Sequence, residues 1–78
     1  MLKSVFYHAG CSVCIGAEQE ILSLIGAEKV EVVHLGEKPA RIAEAEGRGI
    51  KSVPALYTPS GQVLHINFGA ALADLKKN

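Results

Sequence analysis

Gly49-Ile50-Lys51-Ser52-Val53-Pro54-Ala55-Leu56, written GIKSVPAL, is the stretch on which the fold turns. The ring of Pro54 crowds the residue before it and pushes Val53 out of the helical region, so the chain enters Pro54 extended. Ala55 to Thr58 continues as a strand, and Gly47 and Gly49 bracket the end of whatever helix comes before. Downstream, Pro59-Ser60-Gly61 is a turn signal of hairpin length between two apolar stretches. Gln62 to Asn67 is therefore expected as an antiparallel neighbour of the Ala55 strand. Gly69 ends the hairpin, and Ala70 to Lys77 is expected as a last helix whose lysines sit at the negative end of its dipole.

Upstream, Pro39 suits the first turn of a short helix from Pro39 to Glu46, and Val30 to Leu35 reads as a strand closed by Gly36. From Ser12 onward, Cys14, Ala17, Ile21 and Leu24 recur at steps of three and four. That spacing predicts an amphipathic helix with Gly26 in a left-handed cap position. Leu2 to His8 carries the β-formers Val5-Phe6-Tyr7 and turns at Ala9-Gly10. The order is βαβαββα in a single domain over residues 1–78, with no repeat, linker or low-complexity segment. Two successive βα units predict a right-handed crossover between parallel first strands, and the hairpin adds antiparallel strands to the same sheet. The expectation is an α/β fold with a four-stranded mixed sheet flanked by three helices.

With 78 residues, such a domain buries only about 60% of the surface its unfolded chain exposes. A hydrophobic content of 49% with mean hydropathy +0.23 is rich for that length, and the surplus can cover a cleft or pair with a second copy in a homodimer. Eight basic and eight acidic residues cancel, the pI is near 6.8, and no basic run is interleaved with aromatics. Nucleic acid is thereby excluded as a partner. No apolar run approaches the roughly 20 residues of a membrane span, and no charged n-region with an h-region precedes the first strand. With Met1 as the native start, the chain reads as cytoplasmic, where a Cys-x-x-Cys pair is catalytic or metal-binding more often than a permanent staple.

The two cysteines of the chain stand in His8-Ala9-Gly10-Cys11-Ser12-Val13-Cys14. At a turn before a helix, the sulfur of Cys11 meets unpaired backbone N–H groups and the positive end of the macrodipole, both of which favour thiolate. Cys14 lies one helical turn on, within reach of a mixed disulfide formed at Cys11, and it begins the apolar stripe. Cys11 is thus the candidate nucleophile and Cys14 the shielded resolving thiol. A metal reading competes. Cys11, Cys14 and His8 offer three soft ligands where closed zinc needs four, while a two-thiolate copper site needs only the pair. Small heavy-metal-associated domains also place Cys-x-x-Cys between a first strand and a first helix. They run βαββαβ, end on a strand and carry a methionine near the motif, whereas the only methionine here is Met1.

Taken with Gly49-Ile50-Lys51-Ser52-Val53-Pro54 and with Ser60-Gly61-Gln62-Val63 through Phe68-Gly69-Ala70, the cysteine motif gives a chain that resembles the thioredoxin-like superfamily. Its glutaredoxin-sized members are the most similar, and the resemblance covers nearly the whole length. It implies a thiol-disulfide oxidoreductase with no metal or organic cofactor. Pro54 would be cis, Val53 would pair with the backbone of an extended substrate, and Gly69 would line the substrate site. Its partners would be disulfide-containing proteins or low-molecular-weight thiols, with electrons from a thioredoxin reductase-type donor or glutathione. Three departures bound the analogy. Ser12-Val13 replaces the family's usual central dipeptides, so no redox potential carries over. Val5 stands where thioredoxins bury a first-strand acid. Asp74 falls one residue later than the glutathione-contacting aspartate of glutaredoxins, which leaves glutathione open as co-substrate.

His8 is a candidate proton acceptor, since imidazole titrates near neutrality; a surface histidine at a strand end is the plainer reading. His34 and His65, without acidic or cysteine neighbours in sequence, read as structural or solvent-facing. Arg41, Arg48 and Lys51 flank the second helix, where scattered charges are usually a solvated face. Three functions follow for testing: the oxidoreductase, a copper or zinc carrier using Cys11 and Cys14, and a non-catalytic dimeric module associating through Ile66-Asn67-Phe68-Gly69-Ala70.

Overall fold

A strand that is apolar on both faces must lie inside a sheet covered on both sides, and β1 (Ser4–His8) is buried along all five residues. The computed structural model describes residues 3–10 and 12–75, apart from the side chains of Asn67 and Phe68. After β1 come α1 (Ser12–Ile25), β2 (Val30–His34), α2 (Ile42–Gly47), β3 (Ser52–Tyr57), β4 (Val63–Ala71) and α3 (Leu72–Leu75), with single 3-10 turns at Ala27–Lys29 and Pro39–Arg41. The strands order β2-β1-β3-β4. β1 and β2 are parallel, and the β1–β3 and β3–β4 pairs are antiparallel. This is the mixed α/β sheet expected from the sequence.

Side-chain alternation along β1 divides the core. Val5 and Tyr7 join Val33, Ile42, Ala45, Ala55 and Leu72, on the face covered by α2 and α3. Phe6 joins Ala17, Val30 and Leu56, packed by Ile21, Leu22 and Ile25 of α1. Among the described residues, no helix is long and apolar enough to cross a membrane.

Five expectations are corrected. The last strand does not stop at Asn67, nor does a helix begin at Ala70: β4 runs to Ala71, and α3 is a single turn at Leu72–Leu75. The cause is tertiary. β3 begins at Ser52 rather than Ala55, and after a register shift between Val53 and Ala55 the pairs Val53↔Ala70 and Ser52↔Ala71 extend the ladder. Leu72 then donates its N–H to the Lys51 carbonyl at 3.0 Å. Leu24 is 82% exposed, because the buried stripe of α1 continues from Ile21 to Ile25, a step of four. Gly26 has a positive φ of 105° but an extended ψ of 130°, leading into the following 3-10 turn instead of a left-handed cap.

Candidate redox site

The apolar stripe of α1 sends Cys14 inward at its first turn. Its side chain is fully buried, while Val13 beside it is 38% exposed. Cys11 lies outside the described residues. Cys14 and Val53 belong to one apolar cluster, drawn from α1 and the start of β3. Pro54 is also fully buried, and the Val53–Pro54 peptide bond is cis. Pairing between β1 and β3 covers Tyr57, Leu56 and Ala55 and goes no further toward Val53. Among the described residues, Val53 therefore has a strand neighbour on the β4 side alone, at Ala70, next to the half-buried Gly69.

His8 does not face solvent. It is 6% exposed, since residues at even positions of β1 point toward α1. Its Nδ1 accepts the Gly10 N–H at 3.2 Å, and its Nε2 lies 3.8 Å from a Glu18 carboxylate oxygen. Parallel register sets His8 opposite His34, with ring centroids 4.6 Å apart. Nδ1 of His34 accepts the Glu37 N–H at 3.2 Å. Burial, followed by the proximity of His34, lowers the pKa of His8; Glu18 and Glu37 oppose this in part. A Cβ added to Gly10, whose φ is +81°, would stand 2.6 Å from Nε2 of His34. His34 thus covers the residue that precedes Cys11. His65 sits elsewhere, accepting the Lys51 N–H at 3.2 Å.

No protein-family model matches the chain, and no curated protein matches it significantly. A solved structure does: the solution NMR structure of a dimeric thioredoxin-like protein from Nitrosomonas europea. Identity is 58%, over 95% of this chain and 94% of that one, with a TM-score of 0.83. The chain belongs to the thioredoxin-like family.

On the face of β1 opposite His8, this thioredoxin-like chain holds a polar network in place of solvated charges. The buried Tyr7 hydroxyl donates to Glu44 and accepts from Arg48 Nη1 at 2.8 Å. Arg41 binds Glu44 through two nitrogens, at 3.0 and 2.8 Å, and reaches Glu31 at 2.8 Å. Arg48 also lies 4.5 Å over the Tyr57 ring. Both arginines are therefore engaged within the fold. Burial, then the bond to Glu44, pushes the Tyr7 phenol up to about 12. The Arg41 guanidinium holds Glu44 below the usual carboxylate range. Among the described residues, no three metal-ligating side chains converge.

Reasoning from the sequence missed Glu18 and the partnership of His8 with His34. The signal was there: two strands predicted to be parallel each run to a histidine near the C-terminal end.

Proposed function

We propose that this protein is a thiol-disulfide oxidoreductase in which Cys11 attacks and Cys14 resolves. The observation that carries the reading is the burial of Cys14 in the cluster that contains Val53, at the start of the helix that Cys11 precedes in sequence. The Cys11 thiolate attacks one sulfur of a substrate disulfide, forming a mixed disulfide and releasing the other sulfur as a thiolate. That thiolate is a base able to take the Cys14 proton. Cys14 then attacks the Cys11 sulfur, closing Cys11–Cys14 and releasing the second substrate thiolate. Two electrons have passed to the substrate, and an external thiol donor, a reductase or glutathione, restores the pair. Sulfur carries every step, with no metal.

The edge of Val53 facing away from β4 can receive an extended substrate backbone by strand addition. Gly69 lies on the other side of Val53, next to its β4 partner Ala70, and its assignment to the substrate site rests on the family resemblance. The exposed Val13 adds apolar area beside Cys14. Turbidity from insulin reduction by dithiothreitol tests the reading: the protein accelerates it, and Cys11→Ser abolishes the acceleration. Equal rates with wild type and Cys11→Ser defeat it.

A homodimer has its own support. The Nitrosomonas europea relative is dimeric, and the edge strand β4 exposes Leu64 and Ile66 without one acidic, lysine or arginine residue along it. Charged side chains are the usual protection of an edge. Light scattering should give twice the chain mass, and Ile66→Lys should halve it; a monomeric wild type would remove the proposal.

A further inference from the structure

We propose that His8 and His34 are positioning residues that hold the loop leading to Cys11, and that they do so only while His8 is neutral. The inference rests on the oxidoreductase reading for its consequence in catalysis, but its structural content stands apart.

The geometry fixes the tautomers. Because Nδ1 of His8 accepts the Gly10 N–H, the neutral ring carries its proton on Nε2, the nitrogen that faces Glu18. The lone pair left for a second proton is the one that holds Gly10. Protonation therefore turns an acceptor into a donor opposite another donor, and the Gly10 bond is lost. This is why we assign His8 a positioning role in preference to accepting the thiol proton. His34 repeats the device on the adjacent strand, with Nδ1 holding the Glu37 N–H. The two rings, opposite one another in parallel register, join the loop after β1 to the loop after β2. His34 also covers Gly10 from above, with no room for a Cβ.

The charged groups around His8 come from each neighbouring element: Glu18 from α1, His34 from β2 and Glu37 from the turn after β2. A proton on His34 repels one on His8, so removing His34 makes His8 easier to protonate. Burial and His34 both favour the neutral ring near neutrality, where the latch is closed.

Two measurements on the full chain decide the matter. Imidazole 15N spectra should show both histidines as Nε2–H tautomers at neutral pH, and the Gly10 amide should titrate with the His8 ring. A Gly10 amide indifferent to His8 titration overturns the proposal. The second measurement is the rate of iodoacetamide alkylation of Cys11 against pH, in a Cys14→Ser background. His34→Gln should raise the pH at which the rate falls by half. His8→Asn, whose Oδ1 replaces Nδ1 as a non-titrating acceptor, should keep the wild-type rate at neutral pH, while His8→Leu should lower it several-fold. Equal rates for His8→Asn and His8→Leu, or an unmoved midpoint in His34→Gln, overturn the positioning role. Alkylation requires no turnover, so a failure of the oxidoreductase reading leaves both measurements interpretable.

Discussion

Gly10→Ala is the perturbation that bears most closely on the loop before Cys11, and its cost has two separable parts. At φ +81° a side chain meets the backbone penalty of the left-handed region, about 1–2 kcal/mol. The new methyl would also stand 2.6 Å from His34 Nε2 and 3.1 Å from its Cε1. Relieving that overlap moves a ring held by Glu37 on one side and packed against His8 on the other, which by analogy with overpacked cores costs about 1–3 kcal/mol. The sum, about 2–5 kcal/mol, is a large share of the roughly 4–12 kcal/mol expected for a domain of this size. Urea unfolding measures it, and a double-mutant cycle separates the parts. In a His34→Ala background the overlapping ring is gone and no other atom stands closer than 3.7 Å, so Gly10→Ala should cost only the backbone term of about 1–2 kcal/mol. An equal cost in both backgrounds refutes the placement of His34 over Gly10.

Two further predictions concern the buried polar groups. Tyr7→Phe leaves no cavity but removes the hydroxyl between Glu44 and Arg48, and should cost about 1–2 kcal/mol, since a bond to a charged group is lost while Glu44 keeps Arg41. The unfolded phenol ionises near 10 and the folded one near 12, so wild type should lose stability as pH rises across that range, and Tyr7→Phe should not. On the acid side the folded His8 binds its proton less readily than the unfolded one. Stability that is complete above about 6.5 should therefore fall as pH drops from there through the folded value. Denaturant midpoints from pH 7 to 5 should decline less in His8→Asn than in wild type.

Where local chemistry decides the structure, the sequence was legible. The Cys14-Ala17-Ile21 stripe placed α1 and the burial of Cys14, Pro59-Ser60-Gly61 placed the β3–β4 hairpin, and the βα repeats gave the parallel β1–β2 pair. What escaped depends on partners distant in the chain. Gly69-Ala70-Ala71 reads as a helix start until Ser52 and Val53 pair with it. A histidine at the end of β1 has no preferred face until α1 supplies Glu18 on one side and β2 supplies His34. Arg41 and Arg48 look like solvated charge until Glu31, Glu44 and Tyr7 are folded beside them.

Attack by Cys11 and resolution by Cys14 leave a covalent intermediate that can be trapped. Each variant is mixed with a peptide disulfide and its intact mass is recorded without reductant. Cys14→Ser should accumulate one peptide adduct, located on Cys11, while wild type should release the peptide and end two hydrogens lighter, as Cys11–Cys14. Cys11→Ser should take up none. A Cys14→Ser protein that forms no adduct, or an adduct that forms as readily on Cys11→Ser, would contradict attack by Cys11.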